Sequence, residues 1–449
     1  MKTKTLFYEP IGNPDRKYRQ DHFMISSCIA LAVEGYQKGG GDLRECIRNV
    51  KEAGCNLAEF IWADPEETEK CIEACEEFEL DGVFQNWDAF GGFQGSRSNF
   101  EINYEKLDLF MEFSKKFRHF YGYYVWDEPL SERAVDTAAA ELREIERLDP
   151  ARLPFIVAIP SYNLTDTWEN GKYEAYLTRF AMVIDPPVMS LDYYPFSAMR
   201  PDPSNQLDDK LLFLDIALLR KLALGINAPM WFYIQAMDSP INSNYYRFTP
   251  QKLSMQAFNV LLHGGKAVQY YCTVEGAVYW DGRPGPLFFP MKELNRRIQR
   301  WGKTLMALKS EGVYHSPEVL AGCAAFDPYR EPVSESKVLL DQDLPFRCSV
   351  GELSDREGNR YLLILNRDYK NAREFRIGFR KAFRVYKISD ETGGQTVLRN
   401  RAENLRLRLN PGDAVFLRVQ DAEEEPYLIR YELTYESSNH KEKNIGHSD

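Results

Sequence analysis

The chain has 449 residues, of which 44% are hydrophobic and 13% aromatic, and its formal net charge is −11. That length suits two domains with separate cores, and the composition excludes a disordered or fibrous protein. The acidic balance, without any long cluster of Lys or Arg, argues against nucleic acid or an anionic membrane as a partner.

No segment of the sequence is typical of a secretory leader or a membrane span. Residues 1–10 lack the apolar stretch of a signal peptide, and nowhere do about 18 apolar residues follow one another. The 8 cysteines and 6 histidines are not spaced as metal ligands, so we expect no metal and no other cofactor. We interpret the cysteines as small apolar residues in a reducing compartment and predict a cytoplasmic location. No pattern indicates an oligomeric state.

Residues 20–310 alternate between short apolar runs and longer amphipathic segments. The apolar runs predict strands at 23–28, 56–61, 82–85, 120–126, 153–158, 188–192, 230–235 and 267–273. The amphipathic segments predict helices near 42–53, 65–78, 104–117, 131–148, 172–180, 206–224, 250–262 and 291–308. Eight strand–helix units are typical of a (β/α)₈ TIM barrel, whose usual size is about 250 residues before insertions.

Local signals mark where several of these helices begin. Asp-Pro-Glu-Glu at 64–67 combines an N-cap, a proline at the first helical position and a glutamate that closes a capping box. Thr-Pro at 249–250 repeats the start signal. A doubly wound sheet would also alternate, but it rarely needs eight units, and no glycine-rich nucleotide turn follows the first strand.

The pattern changes after about residue 312. Short alternating runs at 361–366 and 383–388 predict strands, and clusters of turn residues separate them. We therefore predict a barrel domain over 1–311, a small antiparallel β-sandwich over 312–425 and a polar tail over 426–449.

Chemistry in such a barrel is expected at the C-terminal ends of the strands. The fourth strand closes with two adjacent carboxylates, Asp127 and Glu128, and Pro129 stops the ladder. Adjacent residues on a strand point to opposite faces, so one carboxylate can be the proton donor while its neighbours hold the other. Both could instead cap the next helix, but Ser131 offers a better cap.

The sequence of this strand, Gly-Tyr-Tyr-Val-Trp-Asp-Glu-Pro at 122–129, resembles the strand-four motif of the clan A glycoside hydrolases, where Asn-Glu ends the strand. It is more similar to a Gly-Tyr-Tyr-…-Asp-Glu-Pro variant in bacterial β-galactosidase-like barrel proteins. The eighth strand and the helix before it, 258–271, resemble that group as well. The resemblance implies a glycosidase with a carbohydrate substrate, in which Glu128 is the general acid/base.

One position departs from the pattern of that family. The resemblance implies a glutamate nucleophile at the end of strand seven, where this chain has Gln235. A neutral amide cannot form the glycosyl ester that a carboxylate forms. Three explanations stay open: a natural change in an enzyme that uses another carboxylate, an engineered trap, or a barrel that binds sugar without cleaving it.

Further carboxylates near strand ends could replace the missing nucleophile, namely Asp192, Asp238, Glu275 and Glu59. Each could also be a solvated or structural side chain. Carboxyl groups about 6.5–9.5 Å apart invert the anomeric centre, whereas about 5–5.5 Å leads to retention. Because strand four lies nearly opposite strand eight, Glu275 or Asp238 suits the wider spacing from Glu128. We predict one of these two as the second catalytic carboxylate, with Asp192 less favoured.

Aromatic and amide side chains on the same face suit a sugar. The C–H faces of a pyranose stack on aromatic rings, while amides and carboxylates hold its hydroxyls. The aromatics could instead pack loops onto the barrel. The predicted substrate-binding residues are Asp127, Gln235, Asp192, Glu59, Asn86, Trp87, Trp126, Tyr194 and Trp280.

The sequence thus favours a glycosidase with Glu128 as general acid and a second, non-standard carboxylate. The alternative is a catalytically silent barrel that binds carbohydrate, and a lyase or isomerase is a third reading. No zinc motif, Gly-x-Ser-x-Gly elbow, P-loop or dinucleotide fingerprint occurs. No feature indicates which sugar is bound.

Overall fold

The structure is a computed structural model that describes residues 1–30, 41–61, 63, 65–94, 101–163, 173–196, 209–236, 248–271, 273, 276–279, 281–317 and 331–434. A closed parallel barrel is followed by a small antiparallel β-sandwich, so the predicted fold class is confirmed. None of the helices in these ranges is long and apolar enough to cross a bilayer.

Ten strands make up the barrel and its N-terminal extension. In chain order they are β1 (Lys2–Tyr8), β2 (Met24–Ala30), β3 (Leu57–Ile61), β4 (Asp81–Phe84), β5 (Gly92–Phe93), β6 (Phe120–Asp127), β7 (Leu153–Ala158), β8 (Met189–Tyr193), β9 (Met230–Gln235) and β10 (Ala267–Tyr271). The barrel runs β4-β3-β2-β10-β9-β8-β7-β6, and β6 pairs back onto β4 to close it. The eight predicted strands are therefore the eight strands of the barrel.

Helices cover the outside of the barrel. The described helices are α1 (Leu43–Glu52), α2 (Pro65–Glu77), α3 (Tyr104–Ser114), α4 (Glu132–Leu148), α5 (Tyr173–Arg179), α6 (Asp209–Gly225), α7 (Pro250–Leu262) and α8 (Phe288–Ala307). The predicted starts are confirmed at two of them. The side chain of Thr249 accepts a hydrogen bond from the Lys252 amide, and that of Ser131 accepts one from the Ala134 amide.

The C-terminal domain is built from β11 (Lys309–His315), β12 (Cys348–Ser354), β13 (Arg360–Asn366), β14 (Arg373–Ile388), β15 (Gln395–Leu409) and β16 (Ala414–Asp421). These strands form one antiparallel sheet in the order β11-β12-β13-β16-β14-β15. Residues from both edges of this sheet meet in a single buried apolar cluster. The long strands β14 and β15 therefore bring the sheet over onto itself as the two layers of a sandwich.

The last described strand differs from the predicted polar tail. β17 (Tyr427–Leu433) pairs in parallel with β1, from Lys2 opposite Tyr427 to Tyr8 opposite Leu433. Ile429 and Tyr431 of this strand are buried in the main core cluster. Their apolar side chains explain why the chain continues to be ordered beyond residue 426.

Candidate active site

Two carboxylates end strand β6 at the C-terminal mouth of the barrel. Asp127 is the last strand residue, and one of its oxygens accepts a hydrogen bond from the hydroxyl of Tyr124 at 3.1 Å. Glu128 follows with a φ of 51°, a left-handed conformation that a residue with a side chain rarely adopts. This turn breaks the alternation of side-chain directions that the sequence predicts. The charges of Glu128 and Asp127 both raise the pKa of the same neighbour, Asp192.

Asp192 on β8 is the carboxyl group that the fold brings to Glu128. The two side chains lie close enough to shift each other's pKa, and each of them is at least nine-tenths buried. Carboxyl groups in such contact cannot both be ionised without strong repulsion, so they share one proton. The sequence ranked Asp192 below Glu275 and Asp238 as the second carboxylate.

Burial and charge set the protonation of this pair. Burial raises the pKa of Asp192 well above its usual range, and the charges of Glu128 and Asp127 raise it further. Burial also raises the pKa of Glu128, but hydrogen bonds from Gln94 and Asp192 act in the opposite direction. Because one oxygen of Asp192, Oδ1, has no hydrogen-bond partner in the described part of the chain, its neutral form is favoured. The shared proton therefore belongs mainly to Asp192.

Gln94 is a site residue that the sequence analysis missed. Its side-chain amide donates to Glu128 Oε2 at 2.9 Å, and its backbone carbonyl accepts a hydrogen bond from the indole of Trp126 at 3.3 Å. The preceding glycines allow this approach, because a Cβ on Gly91 would lie 2.4 Å from the Val125 carbonyl. The Gly-Gly pair at 91–92 was the only sequence signal that could have pointed to it.

Trp126 is placed away from the mouth of the barrel. It is completely buried in the apolar layer outside the strands, and a Cβ on Gly92 would collide with its ring. A register shift between Tyr124 and Trp126 in the pairing of β6 with β7 accompanies this orientation. Trp126 thus holds the segment that carries Gln94 through its hydrogen bond to the Gln94 carbonyl. Its ring is completely buried and does not face a sugar at the mouth of the barrel.

Aromatic and amide groups also follow the strands at this mouth of the barrel. The hydroxyl of Tyr194 acts to lower the raised pKa of Asp192, and its ring stacks on Tyr271 with the centroids 4.8 Å apart. Asn86 is buried at the end of β4, and its Oδ1 finds no hydrogen-bond partner among the described residues. Trp87 next to it is 41% exposed. These groups are suitable partners for the rings and hydroxyls of a sugar.

Gln235 ends β9 and is bound to a neighbouring loop. Its side-chain oxygen accepts a hydrogen bond from the Phe196 amide at 2.9 Å, and its backbone exchanges hydrogen bonds with the side chain of Gln256. The amide therefore fixes the chain that follows Tyr194. That Gln235 also binds a sugar hydroxyl or a catalytic water stays a prediction.

Glu59 lies deeper than the sequence suggested. It is the middle residue of β3, it is completely buried inside the barrel, and it accepts a hydrogen bond from Gln269 at 2.7 Å. A sugar at the mouth of the barrel would have to displace other side chains to touch it. Glu59 therefore lies below the predicted substrate-binding residues and does not belong to them.

Other predicted site residues cannot be placed. Glu275, Asp238 and Trp280 lie outside the described residues, so their proposed roles stay predictions. Within the described ranges, no group of three His, Cys, Asp or Glu side chains is arranged to hold a metal ion.

Comparison with known proteins gives distant structural neighbours only. No protein-family model and no curated protein sequence matches the chain. Among solved structures, a β-L-arabinopyranosidase from Geobacillus stearothermophilus is 10% identical to this chain, with a TM-score of 0.47. The match covers 90% of this chain and 98% of that one. An α-L-fucosidase from Bacteroides thetaiotaomicron is 13% identical with a TM-score of 0.44, at 90% and 94% coverage. At this level of likeness we infer nothing about activity from the neighbours.

Proposed function

We propose that the protein is a glycoside hydrolase whose two catalytic carboxyl groups are Glu128 and Asp192. The proposal rests on one observation: these two buried carboxyl groups lie close together at the C-terminal mouth of the barrel and shift each other's pKa. A pair of carboxyl groups, one protonated and one ionised, is what glycoside hydrolysis requires. The flanking rings of Tyr194 and Trp87 suit a carbohydrate substrate.

The surroundings favour a division of roles that differs from the sequence-based prediction. The sequence made Glu128 the acid, but the buried oxygen of Asp192 favours the protonated form, and the Gln94 amide favours ionised Glu128. We therefore assign Asp192 as general acid and Glu128 as the anionic carboxylate. Asp127 holds negative charge beside them and helps to keep the proton on Asp192.

The reaction follows from this assignment. Glu128 attacks the anomeric carbon while Asp192 gives its proton to the leaving oxygen, so the glycosidic bond breaks as a glycosyl ester forms. Asp192, now ionised, takes a proton from water, and the hydroxide oxygen displaces Glu128 from the sugar. Carboxyl groups in mutual contact are closer to the retaining spacing of about 5–5.5 Å than to the inverting one, so we propose retention.

Replacing Asp192 with Asn tests the assigned proton donor. We expect kcat to fall by about 10²-fold or more on alkyl glycosides, because their leaving group needs the proton. Dinitrophenyl glycosides, whose leaving group needs little protonation, should lose far less. Steady-state kinetics on both substrate types measure the difference, and Asp136→Asn on the outer surface of α4 is the matched control. Equal losses on both substrates would contradict the role of Asp192.

A carbohydrate-binding barrel without catalysis is the second candidate. The observation in its favour is Gln235, which stands where the family resemblance implies a nucleophile. A saccharide that raises the melting temperature but is never consumed would support this candidate. Release of sugar from an aryl glycoside panel, lost on substitution of Glu128, would exclude it.

The change Gln235→Glu separates the explanations for this position. If Glu128 and Asp192 already supply both carboxyl groups, the added glutamate should not raise kcat. It should lower activity, because a new buried charge near the Phe196 amide alters the loop that Gln235 holds. Turnover measured beside wild type gives the answer, and an increase by several orders of magnitude would mean that the glutamine replaced a nucleophile.

A further inference from the structure

A layer of polar side chains crosses the inside of the barrel below the carboxyl pair. Gln269 donates to Glu59 Oε1 at 2.7 Å, and Ser190 donates to the Gln269 side-chain oxygen at 2.8 Å. The hydroxyl of Tyr233 donates to the other oxygen of Glu59. All four side chains are buried, in a place that branched apolar residues usually fill. Keeping a carboxyl group there costs stability, which calls for a functional reason.

This layer touches the site from below on two sides. Asp192 lies opposite Tyr233 in the register between β8 and β9. On the other side, burial raises the pKa of Tyr124, and the charges of Asp127 and Glu59 raise it further. The hydroxyl of Tyr124 in turn donates a hydrogen bond to Asp127. Glu59 therefore contacts the strand next to Asp192 through Tyr233, and its charge acts on Tyr124, the partner of Asp127.

Glu59 is poised between its two charge states. Burial raises its pKa to about 7, although hydrogen bonds from Tyr233 and Gln269 act in the opposite direction. The titratable groups that face it are Tyr233, Tyr124, Cys28 and Cys55, and in the described part of the chain no ion pair contributes to its shift. Because both donors point at Glu59, the observed arrangement suits the ionised carboxylate, which only accepts hydrogen bonds.

We propose that Glu59 is a positioning residue whose loss of a proton fixes Tyr233 and Gln269 and keeps the shared proton on the Glu128–Asp192 pair. When Glu59 is neutral, its own hydroxyl needs an acceptor, so the hydrogen bond from Tyr233 must rearrange. When Glu59 is ionised, it accepts hydrogen bonds from both Tyr233 and Gln269, and Tyr233 is then held opposite Asp192 on the neighbouring strand. The regulation of the site by pH rests on the proposed hydrolase function.

The isosteric change Glu59→Gln tests this role. The variant mimics the neutral form, so the ratio of wild-type to variant kcat/KM should rise from about one at about pH 5.5 to about ten at about pH 8. The midpoint of this rise in the ratio should fall near pH 7, and the KM of the variant should differ little from that of wild type. Tyr233→Phe, which removes one donor to Glu59, should move the midpoint upward by about one pH unit. Glu352→Gln, a buried glutamate of the sandwich, is the matched control.

A ratio that stays constant with pH would overturn the proposal and leave Glu59 a structural residue. The ionisation of Glu59 can be followed without any activity. Because its pKa is raised in the folded protein, the fold loses stability as pH rises from about 4.5 to about 7. The melting-temperature advantage of Glu59→Gln should therefore grow over that range and then stay level. If the melting-temperature advantage grows with pH but no glycoside is cleaved, the hydrolase proposal is wrong. The raised pKa of Glu59 is then still supported.

Discussion

Replacing Glu128 with Gln is expected to lower kcat by about 10³-fold or more on every glycoside, whatever its leaving group. The amide keeps the size of the side chain but cannot attack the anomeric carbon, and it removes the anion that makes Asp192 hold its proton. This uniform loss distinguishes Glu128 from Asp192, whose loss should depend on the leaving group. Steady-state kinetics with alkyl and dinitrophenyl glycosides measure both patterns.

Azide provides an independent measurement of the same role. In a Glu128→Ala variant, azide can occupy the vacated space and attack the anomeric carbon of an activated substrate, giving a glycosyl azide of inverted configuration. The control is Glu146→Gln, near the end of α4 that lies away from the mouth, where the carboxylate pairs with Arg16 at 3.3 Å. Full activity of Glu128→Gln on alkyl glycosides would contradict any catalytic role for this residue.

Two buried histidines are expected to destabilise the protein as the pH falls below about 6.5, a contribution opposite in sign to that of Glu59. His263 ends helix α7 and His315 ends β11, and their rings lie 5.7 Å apart where the barrel meets the sandwich. Burial lowers the pKa of His263 to about 3, and burial together with the charge of His263 holds the pKa of His315 well below its usual range. Both side chains are therefore neutral in the folded protein.

The sign of the effect follows from proton binding. Below about pH 6.5 the unfolded chain takes up a proton at each histidine and the folded chain does not, so acid favours unfolding. From about pH 7 to about pH 5 the two groups together should lower the free energy of unfolding by about 4 kcal/mol. Urea unfolding across this range measures the loss. From about pH 7 to about pH 5, the free energy of unfolding of a His263→Asn, His315→Asn double variant should rise by about 4 kcal/mol relative to that of wild type.

An exposed histidine serves as the control for this experiment. His22 has a side chain that is 45% exposed and a pKa raised by Asp21, so His22→Asn should show no such gain relative to wild type. If the double variant retains the wild-type dependence on pH, the acid sensitivity has another origin.

The fold could be predicted from the sequence because its signals are local and repeated. Each barrel strand is a short apolar run, and starts such as Thr249-Pro250 depend on neighbouring residues only. β17 was missed because its residues, exposed on one side, are ordered by pairing with β1 at the other end of the chain. No local pattern carries that information.

The site was harder to predict, since it depends on small departures from regular geometry. Strand ends identified Glu128 and Asp192 as candidates, but only the positive φ of Glu128 brings the two together. Trp126, which the sequence predicted to stack on a sugar, lies beside a register shift, is buried and donates a hydrogen bond to the Gln94 carbonyl. Such shifts follow from packing across the barrel, which a single sequence does not display. The cytoplasmic location and the roles of Glu275 and Asp238 stay predictions.

The pairing of β1 with β17 also constrains how the chain is made. β1 is synthesised before the barrel strands, yet its hydrogen-bonding partner emerges about 420 residues later, which at ordinary synthesis rates means tens of seconds of waiting. During that time the barrel can close, because all of its strands lie between these two segments. The β1 edge stays unpaired until β17 has been synthesised, so a nascent chain halted before β17 should expose an aggregation-prone strand edge to chaperones or to other copies of itself.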